Sequence, residues 1–285
     1  MPGPAQAGPA QAGPAQTMTA LLADLRQQQA ALDELLGSLA PRNWDTASAA
    51  PGWTVKDQVF HISYFDQVAA DVIVSPEGFL AALPGILADP DRYMTEHLAP
   101  GRAQAQAEVL DGWRRSRTAM LDAFGSADPR ARHPWFGPDM STTSFATARL
   151  MEIFAHGQDI ADGLGLPLDN NAGLGHIAHL GVITRSFSYL TRGLPAPDTP
   201  VRVVLGQPDA STREWGPAGA ADVIRGPVRD FCLVVTQRRH PSDTSLEING
   251  PAAAEWMGIA QAFAGQPGAG RRPGQFPRAG QGTGG

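Results

Sequence analysis

The chain predicts an α+β protein, a four-helix bundle followed by a smaller mixed domain, and three observations lead there. Long stretches before residue 192 repeat apolar side chains at helical spacing. Their connections are marked by Pro and Gly. After Pro200 the pattern changes to short β-branched runs such as Val201-Arg202-Val203-Val204-Leu205.

The elements follow in order. Leu21, Leu22, Leu25, Leu32, Leu35, Leu36 and Leu39 mark an amphipathic helix that breaks near Gly37 and ends before Pro41. Thr54 followed by Asp57 reads as a capping box opening a second helix from Val55 to about Val74. Residues 76–100 read as short helical pieces cut by Pro84 and Pro90. Gln104 to Phe124 is a third long helix, and Ser141 to Leu164 a fourth, stopped by Gly165 and Pro167. A further helix spans about Gly173 to Thr191, and residues 193–200 read as a linker. Beyond it, Val201 to Leu205, Arg213 to Trp215, Ala221 to Arg225 and Thr244 to Ile248 are strands. Val228 to Val235 is read as a helix because Pro227 stands at its start, and Pro251 to Phe263 as another. The domains are therefore 18–192 and 201–265. The arm 1–17, a near-repeat of Gly-Pro-Ala-Gln-Ala, and the Gly/Pro-rich tail 266–285 lack the large apolar groups that offset ordering entropy, and both are expected to be disordered.

Composition excludes several classes. The formal net charge of −6 and the lack of a dense Lys/Arg run argue against a nucleic-acid partner. No apolar stretch has the length of a membrane span, and the N-terminus has no signal-peptide pattern, so the expected location is the cytoplasm. Cys232 is the single cysteine, which rules out an intrachain disulfide; its apolar neighbours predict a buried thiol.

The fourth helix carries the densest chemistry. Arg149, Glu152, His156 and Asp159 recur at steps of three, four and three, forming one polar line among Leu150, Met151, Ile153, Phe154 and Ile160. A line of that kind is expected to face an interior pocket. Glu152 and His156 can present a carboxylate oxygen and an imidazole nitrogen to one ion, and His61, two turns into the second helix, is the candidate third ligand. Asp159 is a candidate to orient an imidazole, and Arg149 to balance the carboxylates or bind an acidic substrate. An ordinary surface pair or a hydrogen-bonded core histidine is the competing reading of the same spacing. His176 and His179 share a helix face but lack a nearby carboxylate in sequence. His97, His133 and His240 are expected to be exposed in loops. Trp53, Trp135 and Phe136 are candidate pocket walls, while Arg238 and Arg239 read as commonplace residues at a helix C-terminus.

The segments Trp53-Thr-Val-Lys-Asp57-x-x-x-His61-Ile62 and Arg149-Leu-Met-Glu152-x-x-Ala-His156-Gly-Gln-Asp159-Ile resemble the two signatures of the mycothiol-dependent maleylpyruvate isomerase N-terminal domain family, within the DinB-like superfamily of metal-binding bundles. Residues 135–141 are similar to an uncharacterised actinobacterial metal-binding subfamily. The order of elements after Pro200 resembles the sterol-carrier-like domain that accompanies such bundles. The resemblance implies a divalent metal, zinc first, on His61, Glu152 and His156. It also implies mycothiol as the thiol cosubstrate of an isomerase or transferase acting on a small molecule. Two alternatives stay open: a non-haem Fe(II) oxygenase, since two His and one carboxylate form a facial triad, and a non-catalytic metal- or ligand-binding protein. Oligomeric state is unread.

Overall fold

A computed structural model describes residues 14–276. Most of the arm expected at 1–17 and the end of the tail lie outside the described residues. Helix α1 (Pro14–Ser38) nevertheless begins inside that arm. Proline suits the first turn of a helix, where its missing N–H is no loss. The helix passes Gly37 and ends one residue later. A 3-10 turn (Pro41–Asp45) leads to α2 (Val55–Val74), where the Thr54 hydroxyl accepts from Asp57 N (3.1 Å) and the Asp57 carboxylate accepts from Thr54 N (3.0 Å). The capping box read from the sequence is present.

Three short helices follow, α3 (Glu77–Ala88), α4 (Pro90–Glu96) and α5 (Ala99–Ala103). Pro84 lies within α3 and does not cut it, a correction to the sequence expectation: one proline removes a single backbone bond, and this helix is exposed on most sides. Helix α6 (Gln106–Ser126) starts two residues later than expected. A short antiparallel pair, β1 (Arg132–His133) with β2 (Met140–Ser141), brackets Trp135 and Phe136. Helix α7 (Thr142–Leu164) opens on Ser141, whose hydroxyl accepts from Ser144 N at 3.1 Å. The single helix expected up to Thr191 is two, α8 (Leu174–Ile183) and α9 (Arg185–Leu190), divided at Thr184.

The remaining elements are β3 (Val201–Gly206), β4 (Thr212–Trp215), β5 (Asp222–Pro227), α10 (Val228–Val235), a 3-10 turn (Pro241–Asp243), β6 (Glu247–Asn249) and α11 (Pro251–Ile259). They form a sheet of order β4-β3-β5-β6, with β3 parallel to β5 and both edge strands antiparallel. Val203 pairs with Trp215 on one side and Ile224 on the other. The whole is a mixed α+β fold whose N-terminal part is helical.

Helices α1, α2, α6 and α7 pack as a bundle: α2 lies against α6 and α7, and α1 against α6 and α7. Their apolar faces meet through Leu25, Leu32, Val59, Ile62, Trp113, Phe124, Phe145 and Phe154, all at most 1% exposed. One continuous core links this bundle to the sheet half, because α8 packs on α10 and carries the hydrophobic contact across to Phe231 and Val235. Two site-bearing helices, α2 and α7, are thus held at fixed separation from inside.

Because α2 carries the candidate ligand His61, its cap is a test of how the site is built. Thr54→Ala should lower stability by about 1 kcal/mol, seen as a lower urea midpoint at unchanged slope. An unchanged midpoint would mean that the cap contributes nothing beyond the packing of α2.

Candidate metal centre

Helix α7 aims Glu152 and His156 at α2, and α2 aims His61 back. The three residues present ligand atoms that all lie within 4.8 Å of one another. His61 is buried, whereas the side chains of Glu152 and His156 keep 26% and 12% of their surface exposed, so the cluster opens to solvent on the α7 side.

Hydrogen bonds favour Nε2 as the ligating nitrogen of His156. Gln58, one turn before His61, donates its amide N–H to Ser48 Oγ (2.9 Å), which turns its Oε1 toward His156 Nδ1 at 2.6 Å. That nitrogen must then carry the hydrogen. His156 Nε2 faces Glu152 Oε2, 3.0 Å away. A proton on Nε2 joins this pair, and a cation can take the proton's place. The donor set therefore fits a divalent cation, two imidazoles and one carboxylate being the ligands that zinc and its neighbours accept.

Electrostatics favour the same state. Burial pushes the His61 imidazole well below its ordinary pKa, and the nearby His156, His97, Arg149 and Arg238 push it further, so it is neutral as a ligand must be. Burial works to raise Glu152, but the His156 hydrogen bond and the charges of His156, Arg149 and Arg238 outweigh it and hold the carboxyl at about 2. Arg149 itself is buried and forms an ion pair with Asp66 (2.8 Å), a partner the sequence reading did not name.

Several sequence expectations are corrected. Asp159 orients no imidazole: it is 1% exposed and binds two guanidiniums, Arg238 at 2.8 Å and Arg271 at 2.5 Å. Gln58 holds the imidazole instead. Arg238 and Arg239 do more than end a helix, since they cross from the sheet half to Asp159 and Asp162 of α7. His97 is buried, not exposed, with Nε2 at 2.9 Å from His61 Nδ1; α4 folds back over α2 and delivers it. His133 is buried as well, bonded to Thr142 Oγ1 at 2.9 Å, and His240 is half-buried, capping the turn before Ser242. His176 has a carboxylate within reach after all, Asp24 at 3.7 Å on α1, while His179 Nδ1 accepts from the Trp215 indole at 3.1 Å. Those two histidines border a separate cavity of about 340 Å³ with Arg213, Glu214 and Trp215, and do not join the cluster.

Trp53 lies nearly parallel to His156 (ring centres 6.1 Å apart, 12° between planes) and 4.9 Å from His61. Phe65 contacts His61 at 4.7 Å and passes the aromatic wall on to Trp135 and Phe136. Of the three expected wall residues, Trp53 meets the imidazoles of the cluster, whereas Trp135 and Phe136 lie one ring back, behind Phe65. Cys232 is fully buried, as expected, and burial pushes its thiol far above the usual range. No described helix is long and apolar enough to cross a membrane.

Fold and donor set define a helical bundle with a candidate metal centre, joined to a small sheet-bearing half. Residues 25–161 match the model of the mycothiol maleylpyruvate isomerase N-terminal domain. Two uncharacterised proteins from strains of Mycobacterium tuberculosis are each 39% identical over 250 residues, covering 88% of this chain and 97% of theirs. Crystal structures of the mycothiol-dependent maleylpyruvate isomerase and of a mutant of it share the fold, with TM-scores of 0.54 and 0.55 at 13% identity, over 81% of this chain and 92% of that one. The chain belongs to the mycothiol maleylpyruvate isomerase N-terminal domain family.

Burial of neutral histidines has a consequence for the metal-free protein. His61, His97, His133 and His176 all have lowered pKa values, burial being the first cause in each. In the unfolded chain each titrates near ~6.5, so on acidification the unfolded state takes up protons that the native state refuses. Stability should therefore fall as pH drops below about 6.5, well before the carboxylates titrate. Urea midpoints of chelator-treated protein between pH 7.5 and 5.5 measure this; a flat profile contradicts the burial of neutral imidazoles.

Proposed function

We propose that His61, Glu152 and His156 hold a divalent metal, zinc first among the candidates, and that the protein is a mycothiol-dependent isomerase or thiol transferase. The observation that carries this reading is the convergence of His61, Glu152 and His156 from two helices, their ligand atoms all within 4.8 Å of one another. Family membership supports the thiol.

A bound divalent ion would supply Lewis acidity that stabilises a thiolate near neutral pH. The chain's own residues do the rest. Gln58 fixes the hydrogen of His156 on Nδ1, and His97 bonds to His61 Nδ1, so both imidazoles direct Nε2 inward. Arg149 and Arg238 add positive charge beside Glu152, offsetting its carboxylate and favouring an anionic thiol or an acidic substrate close by. Trp53 covers the imidazole faces, and the wall of Phe65, Trp135 and Phe136 limits water on one side. Cys232, buried and unreactive, cannot serve as the nucleophile. The thiol has to arrive with a small molecule.

His61→Ala, Glu152→Ala and His156→Ala should each abolish stoichiometric zinc uptake while the helical circular dichroism persists; His176→Ala and His179→Ala should retain zinc. The opposite pattern would move the site to the other histidine pair. Because protons compete for imidazole nitrogens, zinc should bind more weakly at pH 5.5 than at pH 7.5, and equal affinity would mean oxygen ligands alone. Metal-loaded protein given mycothiol and maleylpyruvate should form isomerised product or a thiol adduct, followed by mass; loss of neither reactant over a panel of electrophiles would remove the enzymatic reading.

A further inference from the structure

The segment 266–276 has the composition of a disordered tail and plays no part in the chemistry above, yet it is tied to the rest of the chain at several points along its length. Arg192 donates to Gly268 O (3.0 Å), Gly274 N donates to both Asp243 carboxylate oxygens (2.9 and 3.0 Å), and the Phe276 ring lies under the guanidiniums of Arg239 and Arg271 (5.0 and 5.4 Å). Gly270 and Gly274 take positive φ values of 67° and 73°, the turns that let so short a segment follow the surface. Its Arg271 side chain is only 10% exposed.

Arg271 reaches the bundle at two points, Asp159 Oδ1 (2.5 Å) and Ala49 O (2.8 Å). Ala49 N in turn donates to Asp159 O (2.9 Å), so this stretch of loop is pinned from both sides. Its neighbour Ser48 donates its hydroxyl to Trp53 O (3.0 Å) and accepts the Gln58 amide (2.9 Å), and Gln58 Oε1 accepts from His156 Nδ1. The loop has no slack on its other face: a Cβ on Gly163 of α7 would stand 2.6 Å from both Ala47 O and Ser48 Cα.

We propose that the segment 266–276 is a strap that positions the metal centre, with Arg271 acting on His156 through Ala49, Ser48 and Gln58; this rests on the reading of His61, Glu152 and His156 as metal ligands. The two ends of the Gln58 amide are nearly equal in shape, and Ser48 is what distinguishes them. Released from Ser48, the amide can turn its NH2 to His156 Nδ1, which moves the imidazole hydrogen to Nε2 and removes the ligating lone pair. Arg271 touches no reacting atom. It is a positioning residue.

The test uses the full chain and zinc titrated against a chromophoric chelator, with cobalt(II) as a spectroscopic probe. Arg271→Gln should bind zinc roughly 10- to 100-fold more weakly, the usual scale for losing an outer partner of a ligand, and should shift the visible bands of the cobalt form. Arg271→Lys should recover part of the loss. Ser48→Ala should weaken zinc similarly, and the double variant should lose less than the product of the two single losses because both act along one line. In the unsubstituted protein zinc must slow hydrogen exchange in residues 268–274, since coupling is reciprocal; this arm needs no variant and stands even if one fails to fold. Unchanged affinity and spectrum in Arg271→Gln, multiplicative losses, or exchange unaffected by zinc would each overturn the strap while leaving the metal site intact. An unsubstituted protein that takes up no zinc would overturn the metal reading, and the strap with it.

Discussion

The rest of the molecule is arranged around one buried charge, Asp159. A carboxylate that is 1% exposed is costly unless it is paired, and among the described residues its ion-pair partners lie outside the bundle helices. Its partners come from elsewhere, Arg238 from the end of α10 and Arg271 from beyond α11, while its backbone carbonyl takes Ala49 N from the loop before α2. Removing one member of such a group leaves another buried and uncompensated, a loss of about 3–5 kcal/mol. The requirement to neutralise Asp159 therefore ties α7, the sheet half and the C-terminal segment into one arrangement.

The polar line along α7 extends this logic turn by turn. Arg149 takes Asp66 of α2, Glu152 and His156 face each other and Gln58 of α2, Asp159 takes two arginines, and Asp162 takes Arg239. The first two turns engage α2 and the next two engage arginines that follow α10 and α11, and the turn of Glu152 and His156 also meets His61. Arg229 continues the pattern, bonding Gln158 and Asn170. A metal centre at this turn would sit where the charges of both halves converge, which is why Arg238, remote in sequence, helps to hold Glu152 ionised.

On the opposite side of the cluster, α3 and α4 contribute differently. Phe79 stacks on Trp135 and Tyr93 on His97, so these short helices close the aromatic wall and bring His97 to His61. Their outward residues Leu80, Leu87 and Met94 stay exposed. The helices are held by a few aromatic contacts on one side, in contrast to the fully packed α2 and α7, and the site combines a rigid floor with a thinner roof.

Local sequence determined the long helices, the capping box at Thr54 and Asp57, the change to strands after Pro200, and the facing of Glu152 and His156, because periodicity and capping are properties of neighbouring residues. His61 could be paired with them by resemblance. Tertiary structure alone decided the partners that lie far away in the chain: Gln58 for His156, His97 for His61, Arg238 and Arg271 for Asp159. No spacing rule links residue 271 to residue 159, and a Gly/Pro-rich tail looks the same whether or not a buried carboxylate awaits its arginine. The same holds for His97, whose loop-like context gave no sign that α4 turns back over α2. Local chemistry names the groups able to act, and the packing of distant segments chooses what each one touches.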